Sequence, residues 1–122
     1  MRVEQVDFIS IPTRDAAVAL GWYRDVLGLP ESDVTVGEVE APNVTLSFWE
    51  PEREGFPFIA NTAGFAVRVA DVAAARGELE ASGVQFIGET WDSGTCHFAA
   101  CRDLDGNTVI LHRHYAPRDS RE

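Results

Sequence analysis

The feature that most constrains the fold is a repeat, in which a β-rich segment, an Asp, an amphipathic stretch and a Gly occur twice in the same order. In the first half, residues 3–11 are rich in β-forming side chains, and residues 15–28 have apolar residues at helical spacing between the Asp and the Gly. Residues 65–69 and 71–83 repeat this order in the second half. Asp is a favoured helix N-cap and Gly a favoured helix stop, so the repeat predicts two copies of one strand–helix module.

Further strands are predicted after each helix. The first module continues with strands at 34–39 and 43–49. The second continues with three strands, at 84–87, 95–102 and 107–114, the last two joined by a turn at 103–106. Each half is therefore β-α-β-β, with one further strand that the pattern does not place. We expect module 1 to span about 3–50 and module 2 about 63–116, within one domain of residues 1–122.

Composition and charge exclude several classes of protein. The chain has 122 residues, 20 Asp and Glu against 10 basic residues, and a net charge of −10. Nucleic acids and anionic membranes are therefore not expected as partners. No apolar run approaches the roughly 20 residues that span a bilayer. Cys96 and Cys101 are five residues apart and would point to opposite faces of a strand, so we expect no disulfide and a cytoplasmic protein.

Three segments carry a resemblance to a known family. The sequences VDFISIPTRD, WYRDVLGL and RDLDGNTVIL occur in that order. They resemble the vicinal oxygen chelate superfamily, which includes glyoxalase I, bleomycin-resistance proteins and extradiol dioxygenases. The resemblance covers residues 3–116 and implies an α+β fold, in which two tandem βαβββ modules form a curved mixed sheet around a cavity, with the helices outside. Two residues depart from the family pattern: Leu104 replaces the usual Pro, and Cys101 the usual Phe.

The resemblance also implies where a metal ion would be bound. Metalloenzymes of the family take His and Glu ligands from the first strand and from a later strand of each module. Here these positions fall on Phe8, Thr45, Phe65 and Ile110, with Ser47 as an alternative to Thr45. Phenyl and alkyl groups cannot ligate a divalent ion. We therefore expect no metal and no other cofactor.

The three histidines offer an alternative metal or catalytic site. If residues 103–106 close a simple hairpin, His97 pairs with His112, and His114 follows on the same face. Three imidazoles in this arrangement could bind zinc or copper. His112 and His97 are also the candidate general bases. The plainer interpretation is that they are hydrogen-bonded polar residues of the sheet.

Period-two alternation through the strands predicts the ligand-binding face. Its polar and apolar mixture suits a partly aromatic small molecule, although the same aromatic residues could simply fill the concave side of a sheet. Trp91 follows in a polar, Gly-containing segment, where we expect a loop aromatic that acts as a lid or an interface residue. The predicted face comprises Phe8, Ser10, Thr45, Ser47, Trp49, Phe65, Val67, Ile110 and His112.

Residues 31–54 contain seven acids and one base. Such a segment beside an aromatic groove would attract a cationic ligand, and it would equally serve as a solvated face of an acidic protein.

Together these features predict a small-molecule binding protein of the glyoxalase/bleomycin-resistance type. We expect it to be independent of metal, to form a homodimer and to sequester a toxic or antibiotic compound. One alternative is a glyoxalase-like lyase or isomerase, or a dioxygenase-related enzyme, that uses a non-standard site of His97, His112 and His114. A second alternative is a structural or interaction subunit.

Overall fold

The computed structural model describes residues 1–116 and divides the chain into two compact units. The first unit comprises residues 1–61 and the second begins at Thr62. Each unit is described by itself. No helix within residues 1–116 is long and apolar enough to cross a membrane.

The first unit is a three-stranded mixed sheet with one helix on one face. Its elements are β1 (Phe8–Pro12), α1 (Ala16–Asp25), β2 (Glu38–Glu40) and β3 (Thr45–Trp49), followed by a single 3₁₀ turn (Pro51–Glu54). The strand order is β1-β3-β2, with β1 parallel and β2 antiparallel to β3.

Helix α1 begins at the predicted N-cap. The Asp15 carboxylate accepts hydrogen bonds from the N–H groups of Ala17 and Val18, which would otherwise lack partners at the helix start. Tyr23 is fully buried, and its ring centroid is 5.1 Å from that of Phe48. The helix therefore covers the face of the sheet that carries Phe48 and leaves the other face of β3 uncovered.

The second unit has the complete βαβββ order. It contains β4 (Phe65–Arg68), α2 (Val72–Ala81), β5 (Phe86–Asp92), β6 (Cys96–Arg102) and β7 (Thr108–His114). The strand order is β4-β7-β6-β5, with β4 parallel to β7 and the remaining pairs antiparallel. The core lies on the side of the sheet that carries the buried residues of β6 and β7 and that packs on α2: Ala99, Cys101, Val109 and Leu111, together with Val72 and Leu79.

The predicted α+β class and both helices are confirmed, and four strand predictions need correction. The first strand, predicted at 3–11, is only Phe8–Pro12, because residues 3–7 are exposed. The strand predicted at 34–39 is only Glu38–Glu40, because Val34 and Val36 are almost fully exposed and have no apolar surface to pack against. Within the described residues of the first unit, the order is therefore βαββ. Strand β5 is longer than predicted and includes Trp91, which therefore does not lie in a loop.

Candidate functional site

The open face of the first sheet carries all five ligand-binding residues predicted for this unit. The parallel register pairs Phe8 with Thr45 and Ser10 with Ser47, and Trp49 is the next residue of β3 on the same face. Helix α1 covers the opposite face, so this one keeps its aromatic side chains accessible. Phe8 is 56% and Trp49 42% exposed. We call this set of five residues the open face.

Two acidic side chains extend the open face across β2. The register pairs Glu38 with Ser47 and Glu40 with Thr45, which places both carboxylates on the same side as the hydroxyl groups. The Thr45 hydroxyl donates a hydrogen bond of 2.7 Å to Oε2 of Glu40. In the sequence, both acids belong to the acidic segment 31–54. The alternation around Val39, which is fully buried, is the signal that could have placed them on this face.

The Trp49 end of the open face continues into exposed aromatic residues. The ring centroids of Trp49 and Phe56 are 6.0 Å apart, and Phe56 is 58% exposed. Close by in sequence, Glu50 accepts a hydrogen bond from the N–H of Ala16 and forms an ion pair with Arg53. This part of the unit thus combines accessible rings with a carboxylate.

An open groove lies at the other end, where β2 leads into β3. Its volume is about 540 Å³, and Glu40 and Thr45 are shared with the row of residues described above. Gln5, Asp7 and Asn43 add polar groups. The groove therefore adds polar surface to this end of the first unit.

In the second unit, the predicted ligand-binding residues lie on two different faces. Phe65 pairs with Val109, and Val67 with Leu111. Since Val109 and Leu111 are buried in the core, Phe65 and Val67 belong to the core side. Ile110 and His112 pair with Ala66 and Arg68 and lie on the opposite side. The prediction that these four residues share one face is therefore wrong.

The predicted cross-strand pair of His97 and His112 is also wrong. His112 pairs with Phe98, and His97 pairs with Arg113. The physical reason is the turn, which is one residue longer than predicted: the N–H of Asp103 donates to the carbonyl oxygen of Asn107. A shift of one residue moves a side chain to the other face of a strand, so the two imidazoles lie on opposite sides of the sheet.

His97 belongs to a different cluster at the end of β5. Its Nε2 lies 3.3 Å from Oδ2 of Asp92, and its ring stacks on Tyr115 with centroids 4.5 Å apart. Oδ1 of Asp92 also accepts hydrogen bonds of 2.8 Å from the N–H of Gly94 and from the Tyr115 hydroxyl. These donors lower the pKa of Asp92, the Gly94 N–H most and Tyr115 next, and the Asp92 carboxylate raises the pKa of Tyr115.

On the side of β7 that carries His112, the structure places a group that the sequence did not predict. Cys96 pairs with His114 across β6 and β7, and His112 lies two residues before His114. One sulfur or nitrogen atom from each side chain lies within 4.8 Å of the corresponding atoms of the other two. Trp91 pairs with Phe98 on the same side, with ring centroids 4.4 Å apart. The separation of five residues between Cys96 and Cys101 predicts that the two thiols lie on opposite faces of a strand. The observed register of β6 and β7 was needed to show that Cys96 lies opposite His114.

Cys96 and Cys101 lie on opposite faces of β6 and differ in burial, and neither forms a disulfide. Cys101 is fully buried in the core. Burial, with a smaller contribution from the Asp103 carboxylate, raises the pKa of the Cys101 thiol to about 11. Cys96 is half-buried, and its sulfur lies 3.0 Å from the Ser93 hydroxyl oxygen.

The sequence was compared with family models and with known proteins. The model of the Glyoxalase/Bleomycin resistance protein/Dioxygenase superfamily matches residues 5–111. The chain belongs to this superfamily. A search of curated protein sequences found no significant match.

Solved structures of the superfamily fold resemble the chain over nearly its full length. TnmS3, an antibiotic binding protein from Streptomyces sp. CB03234, is 22% identical with a TM-score of 0.75, over 93% of this chain and 98% of its own. UcmS2 is 23% identical with a TM-score of 0.75, over 92% and 98%. Lactoylglutathione lyase from Agrobacterium tumefaciens is 18% identical with a TM-score of 0.72, over 91% and 94%. At these identities the likeness concerns the fold.

The residues at the superfamily's metal positions do not fit a metal ion. Phe8 and Ile110 have no donor atom, and the Thr45 hydroxyl already donates to Glu40. In the second module, the position equivalent to Phe8 is Gly64 rather than Phe65, because Phe8 and Gly64 both lie seven residues before their helix caps. Gly64 has φ +78°, and a Cβ there would lie 2.5 Å from the carbonyl oxygen of Thr108, so no ligating side chain is accommodated.

Proposed function

We propose that the protein binds a small, partly aromatic molecule on the open face, without a metal ion at the superfamily's positions, and that it acts by sequestration. The observation that carries this proposal is the exposure of Phe8 and Trp49 beside the hydroxyl groups of β1 and β3. Stacking on such rings contributes about 0.5–1.5 kcal/mol per contact beyond area burial, and a few hydroxyls suffice to orient a ligand.

The charge of this surface favours a cationic ligand. Glu38 and Glu40 flank the hydroxyl row, and they are part of a segment, residues 31–54, that has six more acids than bases at neutral pH. A cation beside an aromatic face is held by the ring as well as by the carboxylates. A positively charged aromatic compound is therefore the ligand class that the surface matches best.

The relatives support binding and leave catalysis as the alternative. TnmS3 is an antibiotic binding protein, whereas the Agrobacterium tumefaciens relative is a lactoylglutathione lyase. Catalysis by a His97–His112 pair loses its geometric basis, since the two rings lie on opposite sides of the sheet. His112 stays a candidate general base on its own.

We further propose that the protein is cytoplasmic and forms a homodimer. Two thiols without a disulfide are compatible with a reducing compartment, and we place the protein in the cytoplasm. We also expect a homodimer, which would cover exposed sheet edges. A mass near 13.4 kDa by light scattering across a wide concentration range would contradict the dimer.

A ligand screen with matched variants tests the binding proposal. Tryptophan fluorescence and thermal shift are measured against glycopeptide antibiotics, cationic aromatic metabolites and thiol adducts of 2-oxoaldehydes, with product analysis for each hit. We expect saturable binding without product, weakened about tenfold or more by Trp49→Ala or Phe8→Ala. Glu38→Gln with Glu40→Gln should weaken cationic hits selectively, most at low salt.

The control is Val18→Ala, which removes an apolar side chain that is 54% exposed on α1. Equal loss of affinity in this control, or turnover of a hit, would count against sequestration on the open face. Turnover that disappears in His112→Ala would instead support the enzyme alternative.

A further inference from the structure

We propose that Cys96, His112 and His114 form a binding site for a thiophilic transition-metal ion of the Zn²⁺ class. The three side chains project from the same side of the β6–β7 hairpin, at the end opposite to the Asp103–Asn107 turn. None of these three residues stands at a metal position of the superfamily or belongs to the open face, and the proposal does not depend on the proposed function.

The donor set has the chemistry that such an ion requires. One thiolate and two neutral imidazoles form a mixed sulfur and nitrogen set, which zinc and its first-row neighbours favour. Three protein ligands leave a fourth tetrahedral position open to water or to an exogenous group. Calcium and magnesium prefer oxygen ligands and are not matched by these residues.

The distances require small side-chain adjustments. The three candidate donor atoms lie within 4.8 Å of one another. In a tetrahedral zinc site, metal–ligand distances of about 2.0–2.3 Å place donor atoms roughly 3.3–3.6 Å apart. To reach this spacing, each donor atom must move by no more than about 1 Å toward a common centre. The rings of His112 and His114 are nearly perpendicular, at 85°, so one nitrogen of each can approach a common point without ring overlap.

An unsatisfied buried atom points to a missing partner at this place. Within residues 1–116, Nδ1 of His114 is buried and has no hydrogen-bond partner. A buried polar atom without a partner is destabilising, and such atoms are rare in folded proteins. Coordination or a proton shared with a neighbouring donor would satisfy it.

A hydroxyl group and a positively charged side chain lie on the same side of the sheet as the donor set. The Ser93 hydroxyl lies 3.0 Å from the Cys96 sulfur and donates to it when the thiol is deprotonated, as outer-sphere donors commonly do for metal-bound thiolates. Arg68 pairs with His112 across β4 and β7 and adds a positive charge on this side of the sheet. That charge favours an anion in the fourth position of the metal.

Cobalt titration of the reduced, chelator-treated protein tests the site. Co²⁺ reports its ligands, because a bound thiolate produces a near-ultraviolet charge-transfer band and tetrahedral geometry produces strong visible bands. We expect one equivalent of Co²⁺ to produce both signals and Zn²⁺ to abolish them. Cys96→Ser should remove the charge-transfer band, and His112→Ala or His114→Ala should weaken binding by about 10-fold or more.

The chain offers a matched control for each ligand type. His97→Ala removes the histidine on the opposite side of the sheet, and Cys101→Ala removes the thiol in the core; both should bind Co²⁺ like the wild type. Circular dichroism verifies folding of every variant. If Cys96→Ser does not fold, alkylation of the wild type decides: Zn²⁺ should protect Cys96, the reactive thiol. Absence of a charge-transfer band, unchanged binding in Cys96→Ser, or loss of binding in His97→Ala would overturn the proposal.

Discussion

The carboxylate of Asp103 shows how one buried polar residue fixes a turn. Asp103 is 8% exposed. Its Oδ1 accepts from the N–H groups of Asp105 and Asn107, and its Oδ2 accepts from the Asn107 side-chain amide, all at 2.8–2.9 Å. Asn107 is itself 2% exposed, so its two donor groups have no ready access to water. The turn conformation therefore depends on this one side chain.

Replacing that carboxylate should destabilise the protein strongly. Asp103→Ala leaves buried donors unsatisfied, and we expect the free energy of unfolding to fall by about 2–4 kcal/mol. Chemical denaturation measures the change. Leu104→Ala in the same turn removes a side chain that is 62% exposed and should cost less than about 0.5 kcal/mol. Similar losses in the two variants would show that the hydrogen bonds of Asp103 contribute little.

At the scale of elements, the helices could be predicted from the sequence and the strand register could not. Asp15 and Asp71 are N-caps in the structure as they are in the repeat, because a cap depends on residues two or three positions away. The register of β6 and β7 depends on how Asp103 and Asn107 bond within the turn, which alternation does not reveal. Because the turn is one residue longer than predicted, His97 lies opposite Arg113 rather than His112. The same shift places Cys96 opposite His114.

The hydrogen bonds to Asp92, the last residue of β5, should make the free energy of unfolding depend on pH. The lowered pKa of Asp92 means that its ionised form is favoured in the folded state, first by the Gly94 N–H and then by Tyr115. This contribution is fully present above the pKa of the unfolded state, near 4, and is lost as pH falls through the lower folded value.

Asp92→Asn should therefore flatten the acid side of the stability curve. Thermal unfolding measured from pH 7 to pH 2 should show a smaller loss of Tm below about pH 4 than in the wild type. Since Asp92 is exposed, the effect should be modest. Asp33→Asn, in another exposed segment, should keep the wild-type profile. Identical profiles for Asp92→Asn and wild type would contradict the assigned hydrogen bonds.

At the scale of the molecule, the class of fold follows from the repeat, and only half of the predicted binding face follows from alternation. In the first unit, the observed register of β1 and β3 places Phe8, Ser10 and Trp49 on one face, as alternation predicts. In the second unit, the face that was predicted to contain both Phe65 and Ile110 is divided by the sheet. Measured from the helix caps Asp15 and Asp71, Phe65 corresponds to Ile9, which pairs with the buried Leu46 on the covered face of the first sheet.

The proposed function depends on the binding of a ligand to the open face of the first unit. Chemical-shift mapping by heteronuclear NMR, with the tightest-binding compound of the screen, tests it most directly. We expect the largest amide and indole shifts in β1, β2 and β3 and at Trp49, and we expect Trp49→Ala to raise the ligand concentration at which they saturate about tenfold or more. Shifts confined to the second unit, or spread evenly over both units, would contradict it.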